Sequence, residues 1–358
     1  MQSPAPLAEL CRRWCAAAPV SITPMGTPGF SGSRVFVVKL PGVNGRRVLK
    51  SFHAASSVEH ARFVHCLVRH LRAEGLTQVP EVMPAVDGDT VVTDPEGTLW
   101  ELASFMPGEA IPCPTPTQAA AAATALGRLH LAAARLPGYA ARMGPSPGVV
   151  RRIDQARQLR AISWQSRRKA LPEAATSPQC ADIITRFDAA ITIFASCGGD
   201  ACLERVAAMR TGECLQQVVL RDVWCDHVLL ADRRSSEVTG IIDLHAAGID
   251  TPATDLVRLL GSWKAPAESQ QRGLCDRWPE AMMAYCIERR LSRVEVALIP
   301  FLHASAIVFG LDNWFRWTLD EQRSFADPQR VLTRIDRLIW ELPAALATAG
   351  RCGDGNID

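Results

Sequence analysis

The densest concentration of reactive side chains lies in residues 218–255, which read VVLRDVWCDHVLLADRRSSEVTGIIDLHAAGIDTPATD. Three short apolar runs punctuate it: Val218–Leu220, soon followed by Asp222; Val228–Leu230; and Val238–Ile242, ending at Asp243. Asp232 through Ser236 have turn composition, so the second and third runs are predicted to pair as a hairpin. That geometry brings Asp222 and His227 to one end of a small sheet and lets Asp243 return to the same end. Two carboxylates and an imidazole on one loop cluster suit a reaction that needs a base and a divalent ion. Phosphoryl transfer from a nucleotide is the leading case: one aspartate orients or deprotonates the attacking hydroxyl, and the other holds the metal bridging the phosphates. Acidic residues at strand ends are also ordinary surface features, so spacing alone leaves both readings open.

The elements that must position this cluster begin near the N-terminus. Ser21–Ser33 reads as a loop rich in Gly, Pro and Ser, followed by a strand at Arg34–Leu40, a turn, and a returning strand at Arg47–Ser51. In such a loop the uncrowded amides of Gly29 and Gly32, with the Ser33 hydroxyl, can approach phosphate oxygens. A plain turn has the same composition, and no P-loop ending is present. Lys50 shares a strand face with Val48, where an ammonium could offset phosphate charge; a solvent-facing lysine is the alternative. Val58–Leu71 carries an apolar stripe at helical spacing, and Glu59 in its first turn is placed to pair with Lys50. His60, His65 and His70 recur every five residues, do not converge on a helix, and are expected at the surface or half-buried. Strands at Val82–Pro84, Thr90–Thr93 and Leu99–Phe105 complete a five-stranded, mostly antiparallel lobe with one principal helix. Met106–Gly108 open a linker against which a flat apolar ligand could rest.

From Thr117 the pattern is helical. Ala119–Ala134 places His130 at a core edge. Arg151–Ala170 is a basic helix, read as a solvated face, with recruitment of an anionic substrate or protein partner as the second reading. Ala181–Cys197, Ala201–Ala208, a segment after Asp255, Pro279–Arg290, Leu298–Trp317 and Pro328–Ala347 continue the helical lobe. Trp278, Trp314, Trp317 and Trp340 are expected to pack the core or back a pocket. The expected division is residues 1–107, 108–350, and a flexible tail at 351–358.

The balance of 39 basic and 37 acidic residues gives no electrostatic case for a nucleic-acid partner. No uninterrupted apolar stretch is expected to reach membrane-spanning length, and the first residues lack the order of a secretion signal, so a cytoplasmic location is expected. The 12 cysteines are scattered, which favours reduced thiols over disulfides or a metal pair at Cys197 and Cys202. A monomer or homodimer is expected.

The order RVLK, WELASFMPGEA, LGRLH, LRDVWCDHVLL and GIIDLHAAGIDTPATDL resembles the aminoglycoside phosphotransferase and choline kinase-like family, and is similar to homoserine kinases of that superfamily. The resemblance implies an α+β, bilobal protein-kinase-like fold, with a small antiparallel-sheet N-lobe and a mainly helical C-lobe. It implies an ATP-dependent O-phosphotransferase acting on a small hydroxylated molecule, using ATP and Mg2+, with Mn2+ possible. Asp222 would orient or deprotonate the acceptor hydroxyl, and Lys50, oriented by Glu59, would contact the α- and β-phosphates. Gly29, Gly32 and Ser33 would cover the phosphates. Glu101 through Met106, including Ala103, would hold adenine by backbone groups. Asp243 would hold the metal, and Asp255 would brace the catalytic loop. The chain departs from the pattern where Leu220 and Arg221 replace a His-Gly pair and His227 replaces an Asn. That histidine offers nitrogen in place of a hard oxygen ligand, and a nucleotide-binding relative without transfer activity is the alternative.

Overall fold

Short apolar runs separated by Gly and Pro turns become the strands of the first lobe. The computed structural model describes residues 4–25, 32–171, 178–209, 214–264, 272–325 and 327–351. Helix α1 (Pro4–Cys11) precedes strands β1 (Ser21–Pro24), β2 (Val35–Lys39) and β3 (Arg47–Ser51). Helix α2 (Val58–Ala73) and strands β4 (Val92–Thr93) and β5 (Leu99–Ser104) follow. The five strands form one antiparallel sheet in the order β1-β2-β3-β5-β4.

The strand count matches expectation, but the membership differs. Ser21–Pro24, expected as loop, pairs with β2 from Ser21↔Lys39 to Pro24↔Phe36. Val82–Pro84, expected as a strand, is reduced to a single bridge between Val82 and Ala103. Pro80 and Pro84 bracket it and have no N–H to extend a ladder.

Alternation along β3 and β5 sends Leu49 and Leu102 to one face and Lys50 and Glu101 to the other. Leu7, Leu10, Cys11 and Trp14 cover the apolar face, packing with Val38, Leu49, Trp100 and Leu102. Helix α2 lies over the other face. The Ser57 hydroxyl caps it by accepting the His60 amide at 3.1 Å.

The second lobe is mainly helical: α3 (Pro116–Ala133), α4 (Pro147–Ala161), α5 (Trp164–Ala170), α6 (Pro178–Ser196) and α7 (Gly199–Ala208) come first. Then follow α8 (Ala253–Ser262), α9 (Leu274–Arg277), α10 (Pro279–Glu288), α11 (Arg293–Phe315) and α12 (Pro328–Arg351). Two small sheets lie among them. One joins β6 (Glu109–Ala110), β9 (Val228–Leu230) and β10 (Val238–Ile241) in the order β10-β9-β6; the other joins β7 (Arg142–Gly144), β8 (Cys214–Val219) and β11 (Gly248–Asp250) in the order β11-β8-β7. The architecture is the expected bilobal α+β kinase-like arrangement.

The helical segment Arg293–Asp320 is long and apolar enough, by length and composition, to cross a membrane, although Glu295, Pro300, His303 and Ser305 interrupt its apolar run. Its apolar window is 67% buried inside the fold, where Ile307, Val308 and Leu311 pack against Val331 and Ile335 of α12. The lobe's bulk therefore accounts for its apolarity.

Helix α8 carries Asp255, whose side chain is fully buried. Its carboxylate accepts the backbone amides of Leu220 at 2.6 Å and Arg221 at 2.7 Å, and the His130 Nε2–H at 3.0 Å. His130 is itself fully buried, not at a core edge, and its Nδ1 takes the Tyr285 hydroxyl at 2.7 Å. The loop leading to Asp222 thus hangs from one buried acceptor. Removing it strands three donors, so Asp255→Ala should cost about 3–5 kcal/mol in urea unfolding. A loss under about 1 kcal/mol would show that the loop holds its shape unaided.

Candidate active site

The β9–β10 hairpin sets the first pair of reactive side chains. Its turn is fixed by the Asp232 carboxylate, which accepts the amides of Arg234 at 2.7 Å and Ser235 at 3.0 Å. The Gln118 amide of α3 donates to the carbonyls of Arg233 and Ser235. At the open end the Ile242 amide donates to the His227 carbonyl at 2.9 Å. His227 and Asp243 are thereby brought side by side, with His227 Nε2 at 3.7 Å from Asp243 Oδ2. Asp243 adopts a left-handed backbone, φ 62°, as does Arg221 at φ 63°. Neither conformation is comfortable for a residue with a Cβ, and such outliers gather at functional loops.

Asp222 follows on the loop held by Asp255. Its Oδ1 accepts the Trp224 indole N–H at 2.5 Å and the Arg258 guanidinium of α8, with Arg258 Nε at 2.8 Å. Two guanidiniums lie over the Trp224 ring, the Cζ of Arg258 at 4.4 Å and that of Arg334 at 4.0 Å from its centroid. Among the described residues every hydrogen bond to the Asp222 side chain lands on Oδ1, which leaves Oδ2 without one, and Asp222 lines the adjoining cavity. Trp224, Arg258 and Arg334 were not anticipated as part of this arrangement. The indole two residues from Asp222 was the available signal.

Lys50 meets this cluster from the other lobe. Its Nζ lies 2.6 Å from Asp243 Oδ1. Burial opposes ionisation of Asp243, but the Lys50 ammonium, and after it the His227 and His245 imidazoles, hold the carboxyl below its usual range. The expected Lys50–Glu59 pair is not formed. Glu59 is exposed, and its carboxylate turns to its own backbone amide and the Ser57 hydroxyl, as first-turn acids do at a helix N-terminus.

Glu101 is also placed differently from expectation. It lies inside the sheet opposite Lys50, and Ala103 lies opposite Val48 with Val82 on its other side, so neither belongs to the segment between the lobes. The Glu101 carboxylate bridges two imidazoles, His65 Nε2 at 2.7 Å and His245 Nε2 at 2.8 Å. His65, expected at or near the surface, is fully buried and engages the Thr90 hydroxyl at 2.8 Å. His245 stacks on Phe52 with ring centroids 3.9 Å apart, and its carbonyl is met by His60 Nε2 at 2.7 Å. Sheet, α2 and the segment after Asp243 are joined through this one carboxylate. Burial works against its charge, yet His245 and then His65 hold it far below the ordinary range.

The lobes connect through Phe105–Gly108. The Thr239 hydroxyl donates to the Pro107 carbonyl at 2.6 Å. Gly108 has φ +121°, and a Cβ there would meet Thr239 Oγ1 at 2.3 Å. Gly32 has φ +73° and open space around it; Gly29 lies outside the described residues.

His227 Nδ1 lies 2.7 Å from the Asp222 carbonyl, an acceptor only, so Nδ1 carries a proton and Nε2 is the ring nitrogen left on the Asp243 side, where a metal ion could take it as a ligand. Among the described residues no group of three or more His, Cys, Asp or Glu encloses a metal position. A pair suffices for a nucleotide-borne ion, whose shell is completed by phosphates and water. Asp243 and His227 therefore fit a divalent cation, and the nitrogen favours Mn2+ over Mg2+.

A cavity of about 590 Å3 opens beside Asp222, His227 and Asp243. Trp314 and Trp317 line it, whereas Trp278 is buried in the core and Trp340 is exposed. Of the basic helix, Arg151 and Arg152 reach this cavity, while Arg167 pairs with Asp312 and Arg168 with Asp188.

Depressed folded-state values for Glu101 and Asp243 mean that both carboxylates contribute stability above the ordinary carboxylate range. That contribution is lost as pH falls through their folded values. Urea unfolding between about pH 5 and 3 should show stability falling with acidification, and Glu101→Gln should flatten the fall. Equal slopes in the two proteins would remove Glu101 from the account.

No curated protein matches the sequence. Among solved structures, a spectinomycin phosphotransferase in complex with ADP and spectinomycin superposes with a TM-score of 0.65 at 11% identity, over 97% of this chain and 98% of its own. An amicoumacin kinase in complex with AMP-PNP and Ca2+ gives 0.62 at 14% identity, over 95% and 93%. An aminoglycoside phosphotransferase from Alicyclobacillus acidocaldarius gives 0.56 at 13% identity, over 98% and 96%. At these identities the likeness concerns the fold. In sequence, residues 27–285 match the profile of the phosphotransferase enzyme family, APH. With the match spanning most of its length, the chain belongs to that family.

Proposed function

We propose that the protein transfers the γ-phosphoryl group of ATP to a hydroxyl of a small molecule. The observation that supports this most is the meeting of Lys50 from the sheet with Asp243 from the hairpin, beside a cavity lined by Asp222 and Asp243. Lys50 has three N–H donors and gives one to Asp243, which leaves it able to bind α- and β-phosphate oxygens as well. Gly29, Gly32 and Ser33 would cover those phosphates, and the backbone of Phe105–Gly108 would receive adenine. Glu101 and Ala103 are withdrawn from that role by their place inside the sheet. Asp243 and His227 would hold a divalent ion, which supplies charge neutralisation at the bridging phosphate oxygens.

Asp222 Oδ2 would orient the acceptor hydroxyl, while Trp224 and Arg258 on Oδ1 fix the rotation of the carboxylate. As the acceptor oxygen bonds to the γ-phosphorus, the bond from phosphorus to the β–γ bridging oxygen breaks and ADP departs. The hydroxyl proton passes to Asp222 and then to solvent. Positioning and charge do most of this work.

One feature favours a second reading, nucleotide binding without transfer: His227, which stands at the metal position. Two measurements separate the readings. Asp222→Asn should lower ADP production by about 10²- to 10⁴-fold while ATP still raises the melting temperature. An unchanged rate would remove Asp222 from the reaction, and absent turnover in the native protein with every acceptor would favour the second reading. ATP with Mn2+ should stabilise the native protein more than ATP with Mg2+, and His227→Asn should reverse that order. Loss of the preference for any metal, or its persistence in the variant, would place the ion elsewhere.

A further inference from the structure

The cavity beside Asp222 has an unusual charge. Six arginines line it: Arg151, Arg152, Arg221, Arg258, Arg330 and Arg334. Four aspartates face them, but Asp222 is paired with Arg258 and Asp243 with Lys50. Asp226 and Asp250 remain. The Asp250 carboxylate is taken up by the Ser146 hydroxyl and the Thr251 amide, and forms no ion pair within the described residues. The positive charge in this concavity is therefore only partly balanced.

Three of the guanidiniums are half-buried and form no salt bridge among the described residues; the single Asp250 carboxylate is the main opposing charge for both Arg152 and Arg221. Arg152 donates to the Gly148 carbonyl at 2.9 Å. Arg221 donates to the Ile249 carbonyl at 2.7 Å, and its buried Nε has no hydrogen-bond partner. Arg334 lies over the Trp224 ring. Burial pushes Arg152 down to about 10 and lowers Arg221 and Arg334 also. They arrive from separate places: α4, the loop before Asp222, and α12. A solvated basic face would instead keep its charges on one helix and in water. A guanidinium withdrawn from water and left unpaired is costly, and the planar donor fork matches the oxygens of a carboxylate or phosphate. Phe309, Trp314 and Trp317 complete the wall with apolar surface.

We propose that the acceptor carries an anionic group, a carboxylate or a phosphate ester, beside the hydroxyl that reacts, and that Arg152, Arg221 and Arg334 receive it. The word acceptor rests on the phosphotransfer reading given above; the preference of the cavity for anions does not. The same arginines disfavour polycationic acceptors such as amino sugars, because like charges brought together in a partly desolvated site repel.

The test uses the full chain without nucleotide and reads quenching of tryptophan fluorescence, since Trp224, Trp314 and Trp317 line the cavity. The probes are glycerol, glycerate, glycerol 2-phosphate and kanamycin. Glycerate or glycerol 2-phosphate should bind at least about tenfold more tightly than glycerol, and kanamycin should not bind. The tighter of the two anions identifies the group as carboxylate or phosphate. Arg152→Gln and Arg334→Gln should each weaken anion binding about tenfold or more. Either replacement removes a poorly compensated buried charge, and the two stand on different helices, so a folding failure in one leaves the other as the test. Equal binding of kanamycin, no discrimination from glycerol, or unchanged anion binding in a folded variant would overturn the proposal. Absent ATP turnover with every acceptor would overturn the phosphotransfer reading instead and leave the anion result standing.

Discussion

The reactive loop depends on a carboxylate that touches no solvent. Asp255 accepts two consecutive backbone amides and an imidazole, and those bonds set the path of Leu220 and Arg221 into Asp222. A backbone turning through a left-handed residue has no helix or sheet ladder to satisfy its donors, so a buried side chain has to supply the acceptor. Asp255 is in turn held by His130, and His130 by Tyr285 of α10. The helical lobe reaches the chemistry through this chain of buried polar groups, in which each member satisfies its neighbour.

The two lobes are tied by a second network with different chemistry. Glu101 belongs to the sheet, His65 to α2, and His245 to the segment just past Asp243. Lys50 reaches from the same sheet face to Asp243 itself. The carboxylate thus occupies the sheet while the imidazoles sit on the helix and loop, the reverse of the expected lysine and helix-borne glutamate. With Glu59 out in solvent, α2 is secured to the site by the ring nitrogens of His60 and His65.

Much of this was legible where sequence neighbours determine the outcome. The hairpin from Val228 to Ile241 follows from two apolar runs around a turn, and it brings His227 and Asp243 together because both flank the same ladder. Lys50 follows from strand alternation alone. The partners of Glu101 did not follow, because His65 and His245 stand 36 and 144 residues away and meet only when three elements pack. Arg334 was invisible for the same reason, lying on the last helix. The basic segment was read as one face, whereas the fold divides it: Arg151 and Arg152 turn to the cavity, Arg167 to the partly buried Asp312, and Arg168 to the exposed Asp188. Ser21–Pro24 was missed as a strand since Pro and Ser weigh against one, and an edge position tolerates both.

The left-handed Arg221 has an implication for how this chain could diverge. A glycine would suit φ 63° without steric cost, and many backbones would drift to one at such a place. Here the side chain is anchored over Gly248, where a Cβ would come within 2.5 Å of its guanidinium carbon. Residues 221 and 248 therefore form a matched pair: enlarging Gly248 expels the arginine, and shrinking Arg221 removes the reason for the gap. A lineage that abandoned one would be released to abandon the other. If Arg221 receives the anionic group as proposed, the charge of this rim is set by two linked positions and not by one.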